Sequence, residues 1–290
     1  MNMFLALDLE LFEAGDLVPT PLFAAACPME TVRVLDAGHR VTAHKIMEWR
    51  KVYEYVLIPA HLCSAFGDYA ENQLDIGHGR LLSGLLVARL SELSFGVITA
   101  SALDSIERVA RRMVNLPDAN LAAVVRSGTV ARALPWVQSH AVCAALMTLL
   151  VRTKRTCSSR SSGLVFAALI HDLDGLVRST TTTTSSRSTV ECSITMSVLA
   201  RYHPVEKHVH DTLTHYRERV DGSGGPFGYM DNQISEFAQY LGILSWLCRG
   251  GVIDFSSLVQ RLQPANLQQE TFDAERVALV VELLNTLKGA

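Results

Sequence analysis

The sequence lacks an excess of basic charge, closely paired cysteines and the composition of a disordered chain, and each absence excludes a class of protein. Its 290 residues carry a formal net charge of -3, so the chain has no overall basic surface and we expect no binding to DNA. The six cysteines are scattered without a CxxC spacing, which argues against a zinc ribbon and for reduced thiols. With 49% hydrophobic and 19% charged residues, the composition is that of a globular chain and not of a disordered one.

Long uncharged apolar runs are also absent. A membrane-spanning helix needs roughly 18 such residues, and the nearest candidate, 121–137, contains two arginines. The opening MNMFLALDLELF has acidic residues where a secretory signal would have basic ones. We therefore expect a cytoplasmic protein without a membrane span.

Hydrophobic periodicity divides the chain into two parts. TVRVL (31–35), AHKIMEWRK (43–51) and VYEYVLI (52–58) predict a strand, a helix and a second strand. After about residue 75 the apolar residues recur with the helical period of 3.6. The prediction is a mainly α protein, with a small α/β module at 1–75, regulatory or docking in role, followed by an all-helical domain at 76–290.

The helical part is interrupted by two hydroxyl-rich stretches. In SALDSIERVARRMVN (101–115) the apolar residues form one stripe, with Ser101 or Asp104 as the N-terminal cap. Further helices are predicted at 135–152, 163–173, 189–201, 205–219, 234–249 and 273–288, the last capped by Asp273 and stopped by Gly289. Residues 152–163 and 178–189 predict exposed loops.

A few of the ten histidines stand out by their context. His171 and Asp172 end the apolar run GLVFAALIHD, and His140 lies in a second apolar stretch. His203 precedes a proline, and His215 opens HYRERVDGSGGP. Neutral imidazoles and carboxylates are ligands for Fe, Mn or Zn. Buried histidines are, however, often just hydrogen-bonded, so the residues alone leave both interpretations open.

In their order along the chain, these residues resemble the HD-GYP family over roughly residues 130–250. The match at ERVDGSGGP (218–226) is the most specific, and the His-Asp pair after an apolar helix is the second anchor. The N-terminal stretch is similar to the small module that precedes some HD-GYP domains. The family consists of bacterial phosphodiesterases that hydrolyse cyclic di-GMP at a centre of two or three metals, commonly iron or manganese.

The resemblance implies a set of site residues. His140, His171, Asp172 and His203 would be metal ligands, His215 could swing in as a further one, and Asp172 and Arg217 are the candidate catalytic residues. The signature loop would contact the nucleotide or a partner such as a diguanylate cyclase domain; its residues are Glu218, Arg219, Asp221, Gly222, Ser223, Gly224, Gly225 and Pro226.

The departures from the family pattern concern the metal site. Asp174 and Gly175 stand where the family has glycine and lysine after the His-Asp pair. Tyr216 and Arg217 stand where it has two adjacent histidines. Gly225 replaces the signature tyrosine, and Gln239 lies at about the place of a metal-binding aspartate. An arginine at a ligand position opposes an adjacent metal cation but can pair with a phosphate.

These departures favour a cyclic di-GMP signalling protein of HD-GYP type with an eroded metal site, weak or inactive in catalysis, that binds a partner or the nucleotide. One alternative is an active, metal-dependent cyclic di-GMP phosphodiesterase (a hydrolase), which would hold iron or manganese. Another is a scaffold that binds neither metal nor nucleotide. The apolar helix at 273–288 could pack on its own domain or form the seam of a homodimer.

Overall fold

A four-stranded antiparallel sheet forms the N-terminal part of the fold. The computed structural model describes residues 4–27, 30–75, 79–94, 98–173, 189–249, 255–263 and 271–289. Its strands are β1 (Phe4–Asp8), β2 (Leu17–Val18), β3 (Leu22–Cys27), β4 (Glu30–Leu35), β5 (His39–Arg40) and β6 (Tyr55–Pro59). The sheet order is β1-β6-β3-β4, while β2 and β5 pair separately.

Side chains along β1 and β6 alternate strictly between buried and partly exposed, so each strand turns one face to the core. In β1, Leu5 and Leu7 point inward, and in β6 Val56 and Ile58 do the same. Because successive side chains of a strand point to opposite faces, this pattern places one apolar face against the core.

Thirteen α-helices are described in the chain besides these strands. Their bounds are α1 (Ala43–Val52), α2 (Cys63–Asp75), α3 (Leu82–Ser94), α4 (Ala100–Met113), α5 (Asp118–Arg126), α6 (Gly128–Ala131), α7 (Pro135–Thr153), α8 (Ser158–Ile170), α9 (Thr189–Tyr202), α10 (Lys207–His215), α11 (Glu236–Leu247), α12 (Phe255–Arg261) and α13 (Ala274–Gly289). No helix among these described stretches is long and apolar enough to cross a membrane. The predicted fold class is confirmed: a helical domain follows a small α/β module.

Helix α7 is the centre of the helical part. It packs against α3, α5, α8, α11 and α13, and every residue from His140 to Val151 is buried. A helix that is apolar on all sides belongs inside a domain. The terminal helix α13 buries one face, which packs against α5, α7, α11 and α12, and Asp273 accepts a hydrogen bond from the Arg276 N–H at its start. It continues to Gly289, where the sequence predicts its end.

Several local predictions were wrong. The cap of α4 is Thr99, whose hydroxyl accepts a hydrogen bond from the Ala102 N–H, and not Ser101 or Asp104. Residues 152–163 are not a continuous loop, because α7 runs to Thr153 and α8 begins at Ser158. The second predicted strand starts three residues later, because α1 extends to Val52.

The errors in the Ser-rich region have a physical reason. Serine hydroxyls at the start of α8 are satisfied locally, since Ser162 donates to the Ser159 carbonyl oxygen, so a run of serines does not prevent a helix. The helix predicted at 205–219 is shorter, Lys207–His215, because the chain turns at Tyr216 into the Gly-rich loop. The predicted loop at 178–189 lies almost entirely outside the described residues. The domain boundary at residue 75 stays a prediction.

A buried ion cluster joins the two predicted domains. Glu71 of α2 accepts hydrogen bonds from Arg89 of α3 at 2.8 Å and from Arg108 of α4 at 2.9 Å, and it lies 2.5 Å from Arg112. Burial alone would raise the pKa of Glu71, but the hydrogen bonds from Arg108, Arg89 and Arg112 outweigh it and lower that pKa from 4.5 to about 2. The carboxylate therefore stabilises the fold only while it is ionised.

We expect the pH dependence of stability to report this cluster. Since the pKa of Glu71 is lower in the folded state, its contribution is complete above pH 4.5 and is lost as the pH falls towards 2. The shift corresponds to about 3 kcal/mol of unfolding free energy. Glu71→Gln should lower stability at pH 7 by about that amount and flatten the profile between pH 4.5 and 2, measured by denaturant unfolding.

The matched control is Glu48→Gln, which changes a carboxylate that is 57% exposed on α1. It should leave both the stability at pH 7 and the acid limb unchanged. An equal effect of the two variants would contradict the assignment of the stabilising charge to Glu71.

Candidate functional site

Four aromatic rings line up where α7 begins and α8 ends. Trp136 and His140 lie one turn apart on α7 and stack with ring centroids 3.9 Å apart. His140 stacks in turn on His171, the residue after α8, at 4.2 Å, and Tyr216 meets His171 edge-on at 5.3 Å. Both histidines and Tyr216 are buried. The close packing of α7 on α8 brings together His140 and His171, which are 31 positions apart in the sequence.

The backbone determines which nitrogen of each histidine carries the proton. His140 Nδ1 lies 2.7 Å from the Trp136 carbonyl oxygen, and His171 Nδ1 lies 3.0 Å from that of Ala168. Since a carbonyl oxygen only accepts, each Nδ1 carries hydrogen and each Nε2 keeps its lone pair. His140 Nε2 is buried and has no hydrogen-bond partner among the described residues.

Both imidazoles are neutral at physiological pH. Burial, followed by the proximity of His171, lowers the pKa of His140 well below 6.5. Burial lowers the pKa of His171 to about 4, against the attraction of the Asp172 carboxylate. The two rings therefore contribute polarisable surface and lone pairs to the site, but no charge.

The charge of the site lies in an ion pair beside the rings. Arg217 Nη2 donates to Asp172 Oδ1 at 2.8 Å, and Arg217 Nε donates to the Tyr216 hydroxyl at 2.8 Å. The Trp136 indole N–H donates to the Asp172 carbonyl oxygen at 2.8 Å. The guanidinium of Arg217 thus occupies the carboxylate that the resemblance assigns to a metal.

The other two predicted ligands lie elsewhere. His203 pairs with Asp104 of α4 at 2.9 Å and packs on Phe166, more than one helical turn before the end of α8. His215 points towards the rings of Phe227 and Tyr229 in the signature loop, at 5.9 Å and 5.1 Å. The structure therefore brings His140, His171 and Asp172 together and leaves His203 and His215 in separate contacts.

These side chains do not fit a metal ion in this arrangement. The His140 and His171 rings stack with their planes 25° apart, so a cation between them would meet the ring faces and not the in-plane lone pairs. The carboxylate of Asp172 is paired with a guanidinium. Across the described stretches, no group of three or more His, Cys, Asp and Glu side chains could hold a metal. The metal-ligand assignments stay predictions.

The signature loop is held by one buried carboxylate. Glu218, which is 3% exposed, accepts hydrogen bonds from the backbone N–H groups of Phe227 at 2.7 Å and Tyr229 at 3.0 Å. A single antiparallel β-bridge between Asp221 and Met230 joins the two ends of the loop. Buried carboxylate acceptors make strong, charge-assisted hydrogen bonds, so Glu218 determines the shape of the loop.

Gly224 is required by a backbone crossing. A Cβ atom there would lie 2.4 Å from the Arg219 nitrogen and 2.5 Å from the Arg217 carbonyl oxygen, which no side chain could tolerate without a shift of the backbone. The loop is also anchored at its far side, where Asp221 accepts hydrogen bonds from the Ser223 N–H and the Thr271 hydroxyl.

Arg219 packs inward and leaves an apolar tip exposed on the loop. Its guanidinium lies 4.6 Å from the centre of the Phe272 ring and donates to the carbonyl oxygens of Arg217 and Glu218. Phe227 stacks on Tyr229 at 5.1 Å and is 55% exposed, and Met230 is 52% exposed. These three side chains, Phe227, Tyr229 and Met230, are called the loop tip below.

Sequence reasoning missed two contributors to the site. Trp136 precedes His140 by four residues, a spacing that places both on one helix face and could have revealed the stack. Tyr216 was read only as a lost ligand, although its ring and hydroxyl contact His171 and Arg217. Gln239, at the expected aspartate position, donates to the carbonyl oxygens of Asp231 and Ile234. Asp174 and Gly175 lie outside the described residues.

Comparison with known proteins supports the fold. No family model matches the sequence, and no curated protein matches it. The structure is similar to that of Bd1817, a HDG"Y"P protein from Bdellovibrio bacteriovorus, with a TM-score of 0.64 and 10% sequence identity. The match covers 98% of this chain and 100% of that one. The predicted likeness to HD-GYP proteins is thus confirmed at the level of the fold.

We expect Glu218→Gln to loosen the signature loop. The amide keeps the shape of the side chain but loses the charge and one acceptor oxygen, so the two N–H bonds weaken by about 1.5 kcal/mol or more. Amide hydrogen exchange at Phe227 and Tyr229 should speed up by about tenfold.

The control is Glu236→Gln, on the helix that follows the loop, where the carboxylate is 44% exposed. It should not change exchange in the loop. Unchanged exchange at Phe227 and Tyr229 in Glu218→Gln would show that the buried carboxylate is not what holds the loop.

Proposed function

We propose that this chain is a cyclic di-GMP signalling protein of HD-GYP type with an eroded metal site, which acts by binding the nucleotide or a protein partner. The observation that carries the proposal is the Arg217–Asp172 ion pair beside two stacked, neutral imidazoles. A fixed guanidinium stands where the resemblance would have a metal ligand. The fold of the HDG"Y"P neighbour supports the assignment to this class.

Arg217 gives a chemical reason for nucleotide binding without turnover. A guanidinium matches two phosphate oxygens at once, so a phosphodiester could take the place of the Asp172 carboxylate as its partner. Hydrolysis of a phosphodiester needs an activated water, and in this class metals supply it. The residues around Arg217 orient and neutralise a phosphate, but the two imidazoles offer no charged acid.

The first test is cyclic di-GMP binding by calorimetry with protein treated with a chelator. We expect saturable binding, and we expect Arg217→Ala to weaken it by at least about tenfold, the loss typical of a charge-assisted contact. Arg33→Ala, which removes an arginine that is 60% exposed on β4, is the control and should bind normally.

Metal content and turnover, measured on the same preparation, distinguish the inactive binding protein from an active phosphodiesterase. We expect metal near zero per chain after reconstitution with iron or manganese, and no product from cyclic di-GMP. About two equivalents of metal with turnover would overturn the proposal in favour of an active phosphodiesterase. Absence of both nucleotide and partner binding would favour the scaffold.

The loop tip supports the partner half of the proposal. Exposed aromatic and methionine side chains on a rigid loop are typical of a small docking surface. By the family resemblance, a diguanylate cyclase domain is the partner to test. Phe227→Ala should weaken its binding by at least about tenfold, measured by calorimetry, whereas Met47→Ala, which removes a 57% exposed side chain of α1, should not. Equal binding by both variants would contradict docking through the loop tip.

A further inference from the structure

A cavity of about 680 Å³ lies between the start of α2 and helices α3 and α4. Its lining residues all fall between positions 60 and 108, and none of them belongs to the site at the ends of α7 and α8. The residues that matter for its chemistry are Ser64, Asp68, Arg89, Glu92, Ser105 and Arg108. Its volume lies within the range of about 300–1,000 Å³ that is usual for small-molecule sites.

A buried cation forms the floor of the cavity. Arg89 is 3% exposed, and its two terminal nitrogens are held by Asp68 at 2.6 Å, Glu71 at 2.8 Å and Glu92 at 3.1 Å. Gly67 makes room for the guanidinium, because a Cβ atom there would lie 2.9 Å from Arg89 Cζ. Because three carboxylates hold the Arg89 guanidinium, its position in the cavity wall is fixed before any ligand binds.

Several polar atoms of the wall lack partners. Ser105 is 4% exposed, and its hydroxyl has no hydrogen-bond partner in the part of the chain that the structure describes. The same holds for Arg89 Nε. Arg108 is half exposed, and among the described residues it donates only from Nε, to Glu71, so its two terminal nitrogens can reach a ligand. The Ser105 hydroxyl and Arg89 Nε have almost no exposed surface, so the donors of this wall that a ligand can reach are the terminal nitrogens of Arg108.

The distribution of charge restricts the ligand class. The cluster contains three guanidiniums and three carboxylates, so it is neutral as a whole; the residues are Arg89, Arg108, Arg112, Asp68, Glu71 and Glu92. The available cation lies on α4, whereas the carboxylates with spare oxygens lie on α2 and α3. A ligand with a net charge would unbalance the cluster, but one with separated opposite charges would complement both sides.

We propose that this cavity binds a small zwitterionic molecule of the free amino acid or dipeptide class. Its carboxylate would pair with the terminal nitrogens of Arg108. Its ammonium group would donate to the carboxylates of Asp68 and Glu92. Such a ligand would join the N-terminal module to the helical domain, and its binding does not depend on the function proposed above.

The test is a calorimetric titration of the full chain with the twenty standard L-amino acids and with their dipeptides carrying N-terminal alanine. N-acetylated and C-amidated forms, each lacking one charge, are the chemical controls. We expect at least one free zwitterion to bind with one site per chain, and either modification to weaken binding by about tenfold or more.

Three variants locate the site. Arg108→Gln should weaken the binding of that zwitterion by at least about tenfold, and Ser101→Trp, at an exposed position of the rim, should abolish it by filling the entrance. Arg111→Gln, on the same helix but outside the lining and 62% exposed, should bind like the wild type. Circular dichroism checks that each variant is folded.

Three results would overturn the proposal. The first is no saturable binding of any probe up to about 10 mM, the weak end of specific affinities. The second is equal binding of the charged and the blocked forms. The third is wild-type binding by folded Arg108→Gln and Ser101→Trp proteins. Cyclic di-GMP binding, measured on the same samples, separates a failure here from a failure of the proposed function.

Discussion

The packing of helix α7 against helix α8 is the contact on which the site depends. Because α7 is buried on all sides from His140 to Val151, its rotation and height are fixed by a close-packed apolar core and not by the polar residues at its end. Trp136 and His140 therefore meet His171 at a set distance. The imidazole stack follows from this packing and from the hydrogen bond that each Nδ1 donates to a backbone carbonyl oxygen in the preceding turn.

The neutral rings leave one charge in the site to be balanced. Asp172 is partly buried, and a carboxylate in such a place needs an opposite charge or several donors. Arg217 supplies that charge permanently, because a guanidinium stays protonated at any physiological pH. In a metal site the same carboxylate would depend on an exchangeable ion. Here the Asp172 carboxylate is balanced by Arg217 of the same chain and needs no bound ion.

How much could be predicted from the sequence depended on whether the signal was local. The stripe of α4, the apolar length of α7 and the Asp273 cap of α13 are local features, and all three were predicted correctly. The Ser-rich start of α8 was not, because its composition resembles that of a loop while its hydroxyls are satisfied within the helix. Two of the four strands of the main sheet, β1 and β3, were not predicted; their local signals are weaker, and they form through pairing across the chain.

The candidate site shows the same division at longer range. His140, His171 and Asp172 are close together because α7 and α8 are adjacent, as the order of the motifs implied. His203 follows α9, whose position relative to α8 no motif specifies, and it pairs instead with Asp104. Whether a histidine joins a site depends on where its helix packs, and spacing in the sequence carries no such information.

Helix α4 connects the cavity with the rest of the helical domain. The cavity and its ion cluster therefore include residues from both sides of the predicted boundary at residue 75. Ser105 and Arg108 line the cavity, while Asp104 on the same helix holds His203, and α4 packs along α8. Glu71 lies before that boundary and neutralises arginines after it. Removal of the module would leave Arg89 buried in the core without two of its three carboxylates, a loss that costs several kcal/mol in a low-dielectric setting. Residues before the predicted boundary are therefore part of the electrostatic core that holds α3 and α4.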